Sequence, residues 1–440
     1  MQRWRNPQSI SFTAARSHFR DGSDTPRDFL ERCIDTIEAR ESAVKAWVVL
    51  DLEAARRAAD ESTARYLAGR PLSPVDGCPI GVKDIIATRD LPTQMNSPAF
   101  KGWQSPCDAA PVHAMRKGGA VIVGKTVTTE FAHMHAGPTV NPHNTAHTPG
   151  GSSSGSAAGV AEGMIPLALA TQTGGSTIRP AAYCGIVGFK PTFGLLPMAG
   201  IKPLAPSLDT LGLYGRSVAD IALLFGALSG RDVSAPETGP TRALRIGLHP
   251  GPYASRASAD ARTALDAACA ALRAAGVVVD PINLPEALFA RIGEANTTIM
   301  AYEAARSLAH EFENNRPLLS ANIVKLIGIG QSIAEADYRS ALAAGVEGRQ
   351  ALAEGMQGFD SLITFSAPGA APILAEGTGD SAFNRIWTTI GAPCITLPVG
   401  RVASTSLPLG VQLVDCVDGD ARLLQVAAGV APLLPEFKRW

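Results

Sequence analysis

Gly150–Gly159 has the sequence GGSSSGSAAG and is the segment of this chain that indicates its fold most directly. A second run, Thr171–Pro180 (TQTGGSTIRP), repeats the combination of paired glycines followed by serine. Both runs are flanked at once by apolar sequence, which flexible Gly/Ser linkers seldom are. Glycines let backbone N–H groups approach a reacting carbonyl, so a serine behind two glycines is typical of a nucleophile on a tight turn. The two runs therefore predict tight turns inside a folded core.

Strand and helix patterns alternate on both sides of these runs. Short apolar segments bounded by glycine and proline predict buried strands, whereas apolar residues three and four apart predict helices. Strands are predicted at 79–82, 120–123, 244–248, 277–279, 361–366, 393–400 and 409–415. Helices are predicted from Thr25-Pro26 onward, at 52–68, 110–117, 153–162 and 261–275, and over most of 284–358. This alternation indicates an α/β protein.

The composition is that of a globular protein with a large core. Hydrophobic residues make up 46% and charged residues 18% of the 440 residues, which excludes intrinsic disorder. Lysine and arginine number 39 and aspartate and glutamate 40, so the formal net charge is -1. A chain so nearly neutral has no general attraction to nucleic acid or to an anionic membrane. We therefore expect neither nucleic acid nor a membrane as a partner.

Targeting and redox features predict a cytoplasmic protein. No apolar run reaches the length of a transmembrane helix, about 18 residues. The basic residues of Met1–Pro7 are not followed by the apolar stretch of a secretion signal. The seven cysteines are scattered, odd in number and without a CxxC pair. This pattern predicts reduced thiols, with neither a disulfide framework nor a zinc ribbon.

A serine nucleophile needs a base, and Lys83 is the candidate. The chain has no G-x-S-x-G motif, which argues against an α/β-hydrolase. Lys83 lies in Ile80–Ile86, a run that is otherwise almost wholly apolar. Burial lowers the pKa of a lysine and so produces a neutral amine that can take a proton. The alternative is a lysine at a strand end whose ammonium reaches water, and the residues alone leave both open.

Gly119–Thr126 matches the phosphate-loop pattern G-x-x-x-x-G-K-T, but its residue types favour another structure. A phosphate loop follows a strand, and its inner residues must turn so that their N–H groups converge. Here the inner residues are Ala, Val, Ile and Val, which favour a strand, and the preceding segment is predicted as a helix. We therefore expect a helix end followed by a core strand, and nucleotide binding is the least favoured function.

Four histidines lie close together in sequence: His133, His135, His143 and His147. No Asp or Cys joins the first two before the third, and Glu130 is the only near carboxylate. Histidines beside Asn-Pro and Thr-Pro pairs are more typical of loops and pocket walls than of metal sites. We therefore predict no metal centre.

Together, a series of ordered motifs resembles the amidase signature family. The motifs are Gly81–Asp84, Gly150–Ala158, Gly174–Ser176, Pro180–Gly185, Gly188–Thr192, Ser207–Gly212, Arg216–Asp220, Gly391–Pro393, Leu397-Pro398 and Leu407–Leu413. The match is dense over 77–220 and reasonable over 386–427. It is weak over about 235–360, the part that in this family varies with substrate.

The resemblance implies one α/β/α domain over 1–440, with a large mixed β-sheet and helices on both sides. Within it we expect an N-terminal helical segment at 1–70 and a family-like core at 71–230 and 361–440. A variable helical region is expected on the substrate side at 235–360.

The resemblance also implies a Ser–cis-Ser–Lys triad and no cofactor. Ser176 would be the nucleophile, Lys83 the base, and Ser152 the bridging residue, preceded by a cis peptide bond. The oxyanion hole would be formed by backbone N–H groups of Thr173, Gly174, Gly175 and Ser176. Two positions depart from the family pattern: Gln172 stands where Asp is common, and Arg179 lies three residues after the nucleophile instead of two.

The substrate pocket is predicted less directly. By analogy, His133 and Met134 line the substrate cleft, and Tyr302, Tyr338 and Trp387 lie in segments that usually cap the site. For each aromatic, ordinary core packing is the alternative.

The implied function is an amidohydrolase that cuts a linear amide, or a urea- or carbamoyl-type bond, through an acyl-enzyme. The alternative is the glutamine-hydrolysing component of a tRNA amidotransferase, which shares the triad and needs a partner protein. We expect a small-molecule amide as the partner of the site, and a homodimer is a common default. If Lys83 is not the base, Lys190 is the next lysine to test.

Overall fold

The computed structural model describes residues 11–231, 233 and 244–435. The start of the predicted helical segment and the secretion-signal prediction (1–10), the start of the variable region (235–243) and the end of the core (436–440) lie outside the described residues. Among the described helices, none combines the length and the hydropathy needed to cross a bilayer.

Helices account for much of the described chain. They are α1 (Phe12–Asp21), α2 (Pro26–Val44), α3 (Leu52–Leu67), α4 (Ala110–Lys117), α5 (Ser154–Glu162), α6 (Ile178–Cys184), α7 (Val218–Ser229), α8 (Ala259–Ala274), α9 (Glu286–Ser307), α10 (Ala309–Asn314), α11 (Ala321–Ser332), α12 (Glu335–Gly355), α13 (Ala382–Ile390) and α14 (Asp420–Val430). Their starts follow local chemistry: the Thr25 side chain accepts a hydrogen bond from the Asp28 N–H and Pro26 occupies the first turn of α2.

A single mixed sheet of eleven strands forms the centre of the described structure. The strands are β1 (Trp47–Leu50), β2 (Pro79–Lys83), β3 (Val121–Thr126), β4 (Leu167–Gln172), β5 (Val187–Lys190), β6 (Thr210–Gly215), β7 (Arg245–Leu248), β8 (Val278–Pro281), β9 (Ser361–Phe365), β10 (Cys394–Arg401) and β11 (Pro408–Val414). Their order is β1-β3-β2-β4-β6-β5-β10-β11-β9-β7-β8. β2 runs parallel to β3 and β4, whereas β4–β6, β5–β10 and β10–β11 are antiparallel.

Helices cover both faces of the sheet. Along β4, Leu167 and Leu169 face one apolar cluster and Ala168 and Ala170 face another, as the alternation of a strand requires. The first cluster includes residues of α7, α8 and α14, and the second includes residues of α2, α3 and α5. A third cluster, built from α9, α12 and α13, lies against the strands at the other end. The expected α/β/α arrangement is confirmed.

The sequence Gly124-Lys125-Thr126 lies within β3, not in a phosphate-binding loop. Lys125 is fully buried, and its Nζ lies 3.2 Å from Asp84 Oδ1 and donates to Thr93 Oγ1 at 2.5 Å. An ammonium held in this way is not available to a nucleotide phosphate. The nucleotide-binding alternative is therefore wrong, and the expected core strand is confirmed.

Candidate active site

Two adjacent parallel strands bring the candidate residues to one edge of the sheet. β2 and β4 pair in register, with Ile80 opposite Leu167 and Val82 opposite Leu169. Lys83 is the last residue of β2, and the turn 173–177 follows the end of β4. Because the carboxyl ends of parallel strands meet at the same edge, the lysine and the second glycine-serine run lie together.

Lys83 is fully buried and contacts two hydroxyl groups. Its Nζ lies 2.7 Å from Ser152 Oγ and 2.7 Å from Thr171 Oγ1. Burial holds the pKa of Lys83 well below its ordinary value of 10.5, although the charge of Asp209 raises it. The strand-end alternative, with the ammonium in water, is not what the structure has: the side chain is 0% exposed.

Ser152 lies in the turn before α5, and the peptide bond between Gly151 and Ser152 is cis. The Gly151 carbonyl accepts a hydrogen bond from Arg179 Nη2 at 2.7 Å. The Ser152 carbonyl accepts one from the Thr129 N–H at 3.1 Å. Both carbonyls beside Ser152 are thus fixed, which holds its hydroxyl in place next to Lys83.

The carbonyl oxygens of the turn 173–176 each accept a hydrogen bond from a different part of the fold. Asn296 Nδ2 donates to Thr173 O at 3.1 Å and Thr388 Oγ1 to Gly174 O at 2.8 Å. The Arg179 N–H donates to Gly175 O at 3.0 Å and the Tyr214 hydroxyl to Ser176 O at 3.1 Å. Within the described residues, none of the four N–H groups of the turn donates a hydrogen bond. Because the carbonyls are held outward, these N–H groups are free to bind an oxygen atom of a ligand.

Ser176 and Ser152 line one small cavity of about 80 Å³. The residues around it are Ala132, His133, Met134, Ser152, Thr173, Gly174, Gly175, Ser176, Arg179, Met300, Thr378, Gly379, Ser381 and Arg385. The structure thus brings the predicted triad and the predicted oxyanion turn together at one cavity. A cavity of this size suits a small substrate group.

Gln172 supports the turn that carries Ser176. Its Oε1 accepts hydrogen bonds from the Thr177 and Ile178 N–H groups at 2.9 and 3.0 Å, and its Nε2 donates to Thr388 Oγ1 at 3.0 Å. The amide therefore caps the start of α6 and ties it to α13, since it has both an acceptor and a donor. A carboxylate at this position would accept the same two N–H bonds but could not donate to a hydroxyl.

Buried ionisable groups near the cavity have shifted pKa values. Burial raises the pKa of Asp209 to about 6, although its carboxylate accepts hydrogen bonds from Thr173 Oγ1 and from the Leu204 and Ala205 N–H groups. Burial lowers the pKa of His133 to about 4. At neutral pH this histidine is therefore uncharged, and it adds no charge to the cavity wall.

Of the residues predicted to form the substrate pocket, His133 and Met134 line the cavity and the three aromatics do not. Trp387 is 2% exposed and packs edge-on against Phe289 with ring centroids 5.9 Å apart. Tyr302 stacks on Tyr338 with centroids 4.1 Å apart. The pocket role expected for Tyr302, Tyr338 and Trp387 is therefore corrected to a packing role: each side chain contacts other aromatics instead of the cavity.

Several lining residues were not predicted from the sequence. Met300 comes from α9, Ser381 and Arg385 from the start of α13, and Thr378 and Gly379 from the loop before it. These segments are far from the glycine-serine runs in sequence and carry no motif of their own. The i, i+4 spacing of Ser381 and Arg385 is the one pattern that places two polar side chains on the same helical face.

Lys190, the reserve candidate for the base, lies away from this cavity. Its side chain is fully buried and its Nζ donates to the Pro191 carbonyl at 2.9 Å. No cluster of three or more potential metal ligands occurs among the described residues.

Comparison with known proteins agrees with this geometry. A family model described as Amidase matches residues 28–424. The chain belongs to the amidase signature family. It is 30% identical over 449 residues to the glutamine-hydrolysing component (the first, or A, chain) of the glutamyl-tRNA(Gln) amidotransferase from Anaeromyxobacter sp. (strain K), with 91% of each chain covered.

Solved structures of this family superpose over nearly the whole chain. A structure described as an amidase matches with a TM-score of 0.88 at 28% identity, covering 97% of this chain and all of the other. The peptide amidase of Stenotrophomonas maltophilia matches with a TM-score of 0.83 at 27% identity, covering 96% of both chains. The mixed sheet with its flanking helices is therefore the fold of this amidase signature protein.

Proposed function

We propose that this amidase signature protein hydrolyses a linear amide, or a urea- or carbamoyl-type C–N bond, through an acyl-enzyme on Ser176. The observation that carries the proposal is the contact of the fully buried Lys83 amine with Ser152 Oγ at 2.7 Å, beside the turn that bears Ser176. Amidase structures that superpose on this chain support hydrolysis of a C–N bond.

The first step is attack on the substrate carbonyl. The lone pair of neutral Lys83 takes the hydroxyl proton of Ser152, and Ser152 Oγ takes the hydroxyl proton of Ser176. Ser176 Oγ then forms a bond to the carbonyl carbon, and the carbonyl π electrons move onto oxygen. A lysine can act in this way only while neutral, and its burial supplies that condition.

The negative charge on the carbonyl oxygen needs donors that are already in position. The N–H groups of Thr173, Gly174, Gly175 and Ser176 are the donors we propose, since their own carbonyls are held by Asn296, Thr388, Arg179 and Tyr214. Fixed donors stabilise the developing charge without reorganising during the reaction.

Collapse of the tetrahedral intermediate breaks the C–N bond. The proton held on Lys83 returns through Ser152 to the leaving nitrogen, and an ester of Ser176 remains. Water then gives a proton to the same relay and attacks the ester, which releases the acid and restores the Ser176 hydroxyl. No cofactor takes part in the proposed reaction.

The proposal is tested by incubating the purified chain with a panel of amides, ureas and esters. We expect ammonia or amine release from a subset of the amides or ureas, and a mass increase on the Ser176 peptide when a slow substrate is used. The matched control is Ser154→Ala, because Ser154 is buried in the same turn and donates to the Val127 carbonyl. An acyl adduct on any other residue, or no turnover of the whole panel, would contradict the proposal.

A second function, the glutamine-hydrolysing component of a tRNA amidotransferase, is favoured by the names of the curated relatives at 30% identity. It uses the same triad, so the site does not separate the two functions. Ammonia release that is specific for glutamine, and that requires a second protein, is the result expected of this alternative.

We also propose a cytoplasmic location and small amides, not nucleic acid or membrane, as the molecules this chain acts on. The seven cysteines are free thiols in the structure, which supports a reducing compartment.

A further inference from the structure

The charges around the catalytic cavity all have the same sign. Among its described lining residues, Arg179 and Arg385 carry charge, and none is Asp or Glu. His133 is neutral because burial lowers its pKa to about 4. A small cavity with fixed positive charge and no lining carboxylate favours a negatively charged ligand group.

The two arginines differ in what they contact. Arg179 is used by the protein: its Nη1 donates to Gly379 O at 2.9 Å and its Nη2 to Gly151 O at 2.7 Å. These bonds hold the loop before α13 against the turn that carries Ser152. We therefore regard Arg179 as a residue that positions the cavity wall.

Arg385 is only partly used. Its Nε donates to Ser381 Oγ at 3.1 Å, and one Nη lies 4.0 Å from Asp380 Oδ1, which is too long for a hydrogen bond. Asp380 is already engaged, because its Oδ2 accepts from Arg256 at 3.0 Å and its Oδ1 from the Ala382 N–H at 3.0 Å. Within the described residues, the two Nη groups of Arg385 make no hydrogen bond.

The position of Arg385 places its free guanidinium edge beside the oxyanion turn. A Cβ built on Gly174 would lie 4.0 Å from Arg385 Cγ and 3.6 Å from Ser381 Oγ. The guanidinium side chain is 27% exposed, so a ligand can reach it from solvent. A planar guanidinium with two free Nη groups matches the geometry of a carboxylate.

We propose that Arg385 selects amides that carry a carboxylate a few bonds from the scissile carbonyl. The carboxylate pairs with the Nη groups of Arg385 while the carbonyl lies against the turn 173–176. This inference rests on the proposed amide hydrolysis and adds the substrate class to it.

The test compares succinamate with succinamide. The two molecules have the same shape, but only succinamate has a carboxylate at the far end from its amide. We expect kcat/KM per amide group to be about 10- to 100-fold higher for succinamate, as a charge-assisted bond implies. Arg385→Met should remove this preference and leave succinamide hydrolysis nearly unchanged, whereas Arg385→Lys should keep part of it.

Arg339→Met is the matched control, since it removes one positive charge from the exposed face of α12, where Arg339 is paired with Glu335. It should keep the full preference. A preference that survives in Arg385→Met, or equal efficiencies for the two amides in the unaltered protein, would overturn the inference and leave the proposed hydrolysis intact.

A binding measurement separates this inference from the proposed function. Ser176→Ala removes the nucleophile, so both amides can be titrated without turnover by calorimetry. Tighter binding of succinamate that is lost in Ser176→Ala/Arg385→Met supports the inference even if the unaltered protein hydrolyses neither amide, a result that would count against the proposed function alone. Equal binding of the two amides, or no binding of succinamate, overturns the inference.

Discussion

Lys83 is the residue on which the proposed chemistry depends. An exposed lysine is protonated at neutral pH and cannot take a proton, whereas burial of this one holds its pKa well below 10.5. Its two nearest oxygen atoms belong to hydroxyl groups, Ser152 Oγ and Thr171 Oγ1, which place no formal charge beside the amine. The sequence predicted the residue from a lysine within an apolar run. It could not predict the two hydroxyl contacts, because these come from distant parts of the chain.

Lys83→Met should abolish most of the activity and change how stability depends on pH. In the unfolded chain a lysine is protonated up to about pH 10.5, whereas the buried amine is neutral, so unfolding takes up a proton below that pH. The free energy of unfolding should therefore rise with pH by about 1.4 kcal/mol per unit just below pH 10.5 in the unaltered protein, relative to Lys83→Met. Denaturant titrations of the two proteins from pH 8 to 10 measure this difference. Parallel pH dependences would show that Lys83 is charged when folded.

The pH dependence of the rate follows from the same group. Neutral Lys83 is the active form, so kcat/KM should fall as pH decreases through its lowered pKa and should hold at higher pH until another group titrates. This acidic limb should be missing from whatever residual activity Lys83→Met retains. An unchanged limb in the variant would assign it to another group, and full activity in the variant would exclude Lys83 as the base.

Ser176→Ala should stop turnover without unfolding the protein. The substitution removes one oxygen from a side chain that borders the cavity, so it creates no large void, and we expect kcat to fall by on the order of 10⁴-fold or more. Steady-state kinetics and a thermal melt of each protein are the measurements. Ser154→Ala should retain activity, because Ser154 contacts the Val127 carbonyl and not the cavity. Near-normal turnover by the Ser176 variant would refute its role as nucleophile.

At the scale of elements, the turn 173–176 is held by hydrogen bonds from β6, α6, α9 and α13. No single neighbour fixes it, and each donor acts on a different carbonyl. A small displacement of the turn would move the N–H groups away from the substrate oxygen, and such displacements are expensive in rate. The two glycines of the turn differ in how much room they have, which gives a matched pair of variants.

Gly175→Ala should reduce kcat far more than Gly174→Ala. A Cβ on Gly175 would lie 2.5 Å from Asn384 Oδ1 and 2.9 Å from Ser381 Cβ, so the turn or α13 must shift. A Cβ on Gly174 would meet its nearest atoms at 3.5 Å or more, which is ordinary contact. We expect losses of about 10- to 100-fold for Gly175→Ala and less than about threefold for Gly174→Ala. Equal losses would mean that α13 does not constrain the turn.

Sequence patterns predicted some elements well and others not at all. The helix predicted at 110–117 is α4, and the apolar runs before Lys83 and Gly124 are β2 and β3. β4 was not predicted, because Leu167–Gln172 is buried on both faces and so lacks the apolar-polar alternation of a half-exposed strand. β1 was missed because it has only four residues between two helices.

At the scale of the molecule, the site is assembled from segments that only the fold brings together. Ser152 and Ser176 lie in recognisable glycine-serine runs, so the sequence could predict them. Met300 and Arg385 lie in segments without such motifs, and they reach the cavity because α9 and α13 pack against the end of β4. All eleven strands belong to one sheet, which supports the predicted single domain. The chemistry was thus predictable from local sequence, but the shape and charge of the pocket were not.

One chain supplies every group in the proposed mechanism, so a single copy should be active without a partner. The base, the bridging serine, the nucleophile, the oxyanion donors and the described cavity wall all come from this chain. We therefore expect specific activity to stay constant when the purified protein is diluted, whether or not it forms a homodimer. Activity assays from micromolar to nanomolar protein, with light scattering to follow the oligomeric state, test this.

A loss of specific activity that follows dissociation would show that a second copy completes the site. Activity that appears only when another protein is added, and only with glutamine, would favour the amidotransferase function instead. The two results differ in their concentration dependence, because a homodimer recovers its activity on reconcentration and a missing partner protein cannot be recovered in that way. Constant specific activity on dilution is the outcome that the placement of all these groups in one chain predicts.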